Sequence, residues 1–205
     1  MIVQDVVTLA RHGELSSVAV KDDPSAIVSF VNLGMIALYK IFTVDTRILE
    51  FTPEENDLTL ILPPNFMYPI RSYQKVKEGN KLKEKDVPIN EEDCAKGINF
   101  LNYKEVNFSS ELIGKTIYIR YNVSPPKYTH SNMNEEIALP ETLIDCLLHY
   151  VGYRGHLGIR SDGNSETNVH FVRFERSVEK AKNLGIVPTT DSLVMNKRIR
   201  DRGFA

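Results

Sequence analysis

The stretch DPSAIVSFVNLGMIALYKIFTVDTRILEF, residues 23–51, contains the change of hydrophobic periodicity on which the predicted fold rests. Asp23 suits a helix N-cap, and Pro24 suits the first helical position because its nitrogen carries no hydrogen that would be left unpaired. From Thr46 the pattern alternates as it does in a β-strand, so we expect a helix followed by extended structure. The residues on one face of that helix, which reaches about Phe42, are Ile27, Phe30, Val31, Gly34, Met35, Leu38 and Ile41.

Helical periodicity also appears at the two ends of the chain. A first helix is expected to end near Gly13, and Leu139-Pro-Glu141 is expected to open a third. Asn164 or Ser165 starts a fourth, which Gly185 ends. The sequence therefore predicts an α+β fold, a helical bundle of about four helices interrupted by a β-rich insertion, with an extended C-terminal tail. The predicted segments are 1–45 (N-terminal helices), 46–138 (β-rich insertion), 139–187 (C-terminal helices) and 188–205 (tail).

The β-rich middle section contains several short extended runs. Thr46–Phe51 and Leu58–Leu62 lie on either side of the turn-forming segment Pro53–Asp57, a pattern typical of a β-hairpin. Ile70–Lys77 is another strand candidate. Residues 75–86 are rich in lysine and glutamate, and we interpret them as a solvated hairpin tip. A DNA-facing patch is the alternative, which the interleaved acidic residues disfavour.

Composition narrows the class of protein. The chain has 205 residues, of which 42% are hydrophobic and 25% charged, and its formal net charge is -2. This composition is typical of a globular protein. The slightly negative net charge argues against a protein whose main task is to bind nucleic acid. Cys94 and Cys146 are the only cysteines, so the sequence predicts neither a disulfide framework nor a cysteine zinc site. The N-terminal residues do not have the pattern of a secretory signal, and the sequence has no run of 18 apolar residues. We therefore expect a protein that is neither secreted nor embedded in a membrane.

One short motif points to an enzyme. Leu9-Ala-Arg-His-Gly-Glu14 resembles the R-H-G motif of the histidine phosphatase and phosphoglycerate mutase family. That resemblance implies a nucleophilic role for His12 and phosphate binding by Arg11. The residues before Arg11 have helical rather than strand periodicity, however, and no later histidine is followed by glycine. A helix C-terminus, at which both side chains complement the dipole, is the favoured interpretation.

Two other groups of polar residues were considered as sites. The third helix carries His149, Tyr150, Tyr153, Arg154 and His156, but its histidines are seven residues apart rather than the four that a metal site on one helical face requires. A polar face or a subunit contact is the favoured interpretation. Asp86, Glu91, Glu92 and Asp93 have no fixed ligand spacing and are interpreted as a solvated loop. We expect no metal and no cofactor.

The order of features along nearly the whole chain resembles the head-to-tail adaptor, or connector ring, proteins of short-tailed bacteriophages of the N4-like and crAss-like groups. The N-terminal motifs that carry the resemblance are LARHGEL (9–15), FVNLGMIALYK (30–40) and LILPPNF (60–66). The later motifs that carry it are VPINEED (87–93), IYIRYNVSP (117–125), LPETLIDCLLHY (139–150) and the segment Asn168–Phe174.

This resemblance implies a structural virion protein that is not an enzyme. About twelve copies would form a ring at the head–tail junction, below the portal protein. The ring would contact tail nozzle, second-ring or tail-fibre proteins, and genome DNA would pass through its lumen without specific recognition.

The last 18 residues, 188–205, are a basic segment that opens with proline. We predict that this segment binds the portal, because it is long enough to lie across a neighbouring protein. The predicted contact residues are Pro188, Leu193, Lys197, Arg198, Ile199, Arg200, Arg202 and Phe204.

Overall fold

The computed structural model describes residues 1–79, 81–90, 97–157 and 166–189 of the chain. It divides into two compact units. The helical unit consists of Met1–Val44 and Pro125–Ala205, and the β unit consists of Asp45–Ser124.

The described part of the helical unit contains four α-helices: α1 (Val3–His12), α2 (Pro24–Ile41), α3 (Ile144–His156) and α4 (Glu166–Leu184). The predicted start of α2 is confirmed, because the Asp23 side chain accepts hydrogen bonds from the amides of Ser25 and Ala26. Gly185 follows α4 with a φ of +64°, the left-handed conformation that glycine adopts readily at a helix end.

Helix α3 packs against both α2 and α4, and α1 packs against α2 and α3. The contact between α2 and α3 is close at Gly34, since a Cβ atom there would lie 2.5 Å from Cδ1 of Leu147. This helical glycine therefore serves packing rather than flexibility. The core of the unit includes Val3, Val6, Ala10, Ile27, Val31, Met35, Leu38, Leu143, Leu147 and Val151.

The segment after Pro125 belongs to the helical unit, although its sequence placed it in the β-rich insertion. Tyr128 is 2% exposed, and its main-chain N–H and C=O are hydrogen-bonded to the Asn32 side chain on α2. Its hydroxyl donates to the Glu136 carbonyl and accepts from the amide of Ala138. Polar composition suggested a loop of the insertion, whereas one buried tyrosine holds this segment against the helices.

The described residues of the β unit form seven strands: β1 (Thr46–Phe51), β2 (Thr59–Ile61), β3 (Phe66–Glu78), β4 (Lys81–Asp86), β5 (Ile98–Phe100), β6 (Glu105–Phe108) and β7 (Ile117–Val123). They make two antiparallel sheets, of order β1-β7-β3-β4 and β2-β6-β5. The unit buries its own hydrophobic core, formed by Leu62, Val87, Ile98, Val106, Phe108, Leu112, Ile117 and Ile119.

The prediction of a helical bundle interrupted by a β-rich insertion is therefore wrong. The fold is α+β, with four helices and two antiparallel sheets among the described residues. The sheets are too large a part of the structure to be an appendage of a bundle, because they enclose a core of their own.

One local prediction about the strands is also wrong. β1 and β2 do not form a hairpin, because β1 pairs with β7 in one sheet and β2 pairs with β6 in the other. The turn between them does exist, closed by hydrogen bonds between Glu54 and Asp57. Residues 75–86 were interpreted as a solvated hairpin tip, and this is confirmed, since most of them lie in the exposed, paired strands β3 and β4.

Helix α2 has the length and composition of a membrane span, with a mean hydropathy of 1.4 over 18 residues. This is weak evidence, since the core helix of a soluble protein passes the same test. Ile27, Val31, Met35 and Leu38 of this helix are each fully buried inside the helical unit.

Candidate functional site

A carboxylate in contact with two histidine rings is the most concentrated group of titratable side chains that the structure describes. Glu14 follows α1 directly, and its side chain is 20% exposed. Its Oε1 atom lies 3.3 Å from Nδ1 of His149 on α3, and its Oε2 atom lies 2.9 Å from Nδ1 of His170 on α4. The loop after α1 is thereby joined to two other helices.

A third histidine completes the group, which we call the Glu14 cluster: Glu14, His149, His156 and His170. His156 Nε2 lies 3.0 Å from the main-chain oxygen of Glu14. The rings of His156 and His170 stack with centroids 4.2 Å apart. Glu14 is thus held through both its backbone and its side chain.

Gly152 makes room for this arrangement on α3. A Cβ atom at this position would lie 3.0 Å from the Cβ and Oε2 atoms of Glu14 and from Nδ1 of His170. A larger residue would displace the carboxylate from the two helices.

Its position in the cluster favours the neutral form of His170. The pKa of His170 is lowered, mainly because burial penalises the charged imidazolium and also because His156 and Arg173 lie nearby. The Glu14 carboxylate acts in the opposite direction and raises this pKa. Oε2 of Glu14, Nδ1 of His149 and Nδ1 of His170 are buried and have no hydrogen bond of standard geometry to any residue that the structure describes. No group of three or more His, Cys, Asp or Glu side chains within the described residues is arranged to hold a metal.

The stability of the helical unit should therefore fall as the pH is lowered from 7 to 5. A histidine whose pKa is depressed on folding binds more protons in the unfolded chain, so unfolding becomes more favourable below the unfolded pKa of about 6.5. Urea denaturation followed by circular dichroism at a series of pH values measures this slope, which should be smaller in His170→Asn. The exposed His130 provides the matched control, His130→Asn, which should retain the wild-type slope. A pH dependence of stability in His170→Asn as steep as that of the wild type would contradict the assignment of this dependence to His170.

The residues in and beside the R-H-G motif lie in two places, the protein surface and the Glu14 cluster. Arg11 is at the surface, where its guanidinium pairs with Asp22 at 2.9 Å, and His12 is exposed at the end of α1. Glu14, which the sequence analysis did not single out, is the residue of this motif that makes the tertiary contacts.

The polar set on α3 is partly brought together. His149 and His156 both join the Glu14 cluster, one through the carboxylate and the other through the backbone. Tyr150 and Tyr153 instead make aromatic contacts with Phe174 and Phe171 of α4. Sequence reasoning missed His170, whose signal was its helical spacing from Phe174 and Val178, which places it on the buried face of α4.

The acidic and cysteine candidates are not grouped. Asp86 pairs with Arg71 at 2.6 Å in the β unit, whereas residues 91–93 and Cys94 lie outside the described part of the chain. Cys146 is buried in α3, and burial raises the pKa of its thiol.

Only the start of the predicted portal-binding tail falls within the described residues. Val187 is buried, the exposed Pro188 accepts a hydrogen bond from the amide of Thr43 at 2.7 Å, and Thr189 forms a β-bridge with Phe42. The other predicted contact residues lie outside the described part: Leu193, Lys197, Arg198, Ile199, Arg200, Arg202 and Phe204.

Among the apolar side chains that the helical unit exposes, two pairs lie on α2 and α4, besides Leu9 on α1. On α2, Leu33 and Ile36 are 39% and 40% exposed and line a groove of about 480 Å³ together with Pro125 and Pro126. On α4, Val169 and Val172 are 48% and 38% exposed. The first pair is called the α2 surface and the second the α4 surface.

Comparison with known proteins adds no relative, since no protein-family model and no curated protein matches this chain.

Proposed function

We propose that this protein is a structural component of a virion that forms a ring between the portal of a phage head and its tail. The order of motifs along the chain, which resembles that of connector ring proteins, supports the proposal. The observation that carries it is the pair of exposed apolar surfaces on α2 and α4, because a ring subunit must meet a neighbour on each side.

The helix packing suits a contact of this kind. α3 packs against α2 and α4, so the two surfaces belong to helices that share α3 as a common neighbour. A head-to-tail contact between the α2 surface of one copy and the α4 surface of the next uses different patches on each subunit. Repetition of such a contact closes a ring when the rotation per copy is right.

Charge is compatible with a channel for DNA. A formal net charge of -2 on 205 residues gives little overall attraction to phosphate, so DNA can move through the lumen. The tail from residue 190 onward is proposed to reach the portal, from an attachment beside Phe42.

Assembly tests the proposal directly. The full-length chain, examined by mass photometry and negative-stain electron microscopy, should form rings of about twelve copies. The double variant Leu33→Asp, Ile36→Asp should remain monomeric, because a ring would bury two carboxylates in an apolar contact.

The matched control carries the same substitutions in the β unit. Ile48 and Leu101 are 51% and 57% exposed, and the variant Ile48→Asp, Leu101→Asp should still form rings. A monomeric wild-type chain that also fails to assemble on purified portal would overturn the proposed function.

A further inference from the structure

Strands β3 and β4 extend beyond the rest of their sheet as a two-stranded arm. The pairing of β3 with β7 ends at Gln74, whereas its pairing with β4 continues from Lys75 to Glu78. Four residue pairs therefore lie beyond β7, a length of about 14 Å at 3.4 Å per residue. Gly79 begins the turn with a φ of +61°.

The arm is basic although the chain is acidic. The arm, residues 75–84, and Lys85 at its base, opposite Gln74, together contain five lysines and two glutamates, which gives this segment a formal charge of +3 in a chain of charge -2. Such a concentration of one sign marks a surface for an oppositely charged partner.

Internal contacts occupy the acidic residues of the arm and leave three lysines available. Glu78 pairs with Lys83 at 2.6 Å, and Glu84 pairs with Arg71 at 2.5 Å. Lys75 lies over the ring of Tyr118, 4.3 Å from its centroid. Lys77, Lys81 and Lys85 are exposed and make no ion pair with any residue that the structure describes.

We propose that this arm binds the phosphate backbone of double-stranded DNA without sequence preference, through Lys77, Lys81 and Lys85. The alternation of a strand places Lys81 and Lys85 on one face of the arm, and the register places Lys77, opposite Leu82, on the other. A two-stranded ribbon fits the major groove of B-DNA, where cations on its two faces can meet phosphates of both walls.

The spacing also fits. Lys81 and Lys85 are four residues apart on an extended strand, about 14 Å, a length over which one DNA strand presents about four phosphates when measured along the helix axis, at about 3.4 Å per phosphate. The inference goes beyond the proposed function, because a single chain carries the complete arm and needs no ring to bind.

Fluorescence anisotropy with a random-sequence 30-base-pair duplex tests the inference at several salt concentrations. The triple variant Lys77→Gln, Lys81→Gln, Lys85→Gln should bind at least tenfold more weakly than the wild type near 0.1 M salt. The plot of log K against log salt should become less steep by two to three, since each lost phosphate contact removes about 0.9 from the slope.

The matched control removes the same charge from other exposed positions, as Lys104→Gln, Lys180→Gln, Lys182→Gln. It should bind DNA within about twofold of the wild type. Equal loss in both triple variants would overturn the inference, because net charge alone would then explain it. A triple arm variant that instead loses only a protein contact would show an acidic protein partner and would also overturn it.

The same measurement on Leu33→Asp, Ile36→Asp separates the two proposals. That variant should bind DNA as one chain even though it forms no ring. Loss of ring formation and loss of DNA binding by the arm are thus observed independently.

Discussion

Tyr128→Ala should lower the free energy of unfolding of the helical unit by about 3–5 kcal/mol, the range measured when a buried aromatic side chain is removed. The ring of Tyr128 is 2% exposed, and its hydroxyl is hydrogen-bonded to Glu136 and Ala138. Removing it leaves a cavity and also leaves the Ala138 amide without its acceptor. The polar segment after Pro125 would then lose the side chain that holds it against α2.

Urea denaturation followed by circular dichroism at 222 nm measures this loss. Tyr128→Phe keeps the ring and should cost about 1–3 kcal/mol, the penalty for an unpaired buried amide. Tyr103, which is 80% exposed in the β unit, supplies the control Tyr103→Ala, whose effect should stay within about 0.5 kcal/mol. A Tyr128→Ala chain as stable as the wild type would contradict the role given to this residue.

Truncation after Thr189 should abolish binding to the portal and leave the fold unchanged. This prediction rests on the proposed function. Val187 is buried, and Pro188 and Thr189 bond to Thr43 and Phe42, so the cut must lie beyond them to spare the helical unit. The deletion removes four cations that could pair with acidic groups of a partner: Lys197, Arg198, Arg200 and Arg202.

Co-sedimentation with purified portal oligomers measures the binding. The truncated chain should retain its circular dichroism spectrum and still form rings by mass photometry, which shows that its other surfaces are intact. Binding of the truncated chain as tight as that of the full-length chain would remove the tail from the portal contact.

The helices were predictable because their signals are local. For α2, the cap at Asp23, the proline at position 24 and the repeat from Ile27 to Leu38 all lie within the helix or beside it. Each signal acts over one or two turns of backbone, so the sequence carries the information without knowledge of the tertiary fold.

The sheets were not predictable to the same extent. Alternation of apolar residues identifies a strand and its two faces, but it does not identify the strand with which it pairs. β1 was assigned to its neighbour β2 because short turns usually join paired strands. In the structure its partner is β7, from the other end of the unit, and apolar residues of both sheets, Val106 and Ile117 among them, share one core.

The Glu14 cluster shows the same limit for a site. The spacing of His149 and His156 on α3 did not indicate that one contacts the carboxylate of Glu14 and the other its backbone. Their partner Glu14 comes from the loop after α1, and Gly152 admits it. Long-range packing creates this group, and no local spacing encodes it.

The β unit begins and ends at neighbouring points. The amide of Val123 donates to the carbonyl of Asp45 at 3.1 Å, and Thr46 lies opposite Asn122 in the sheet. A contiguous domain whose first and last residues are adjacent can be inserted, deleted or replaced as one unit during evolution. The backbone on either side of it then needs no rearrangement. Related chains with the same helices can therefore carry β units of very different length and surface, so the two units are free to diverge at different rates.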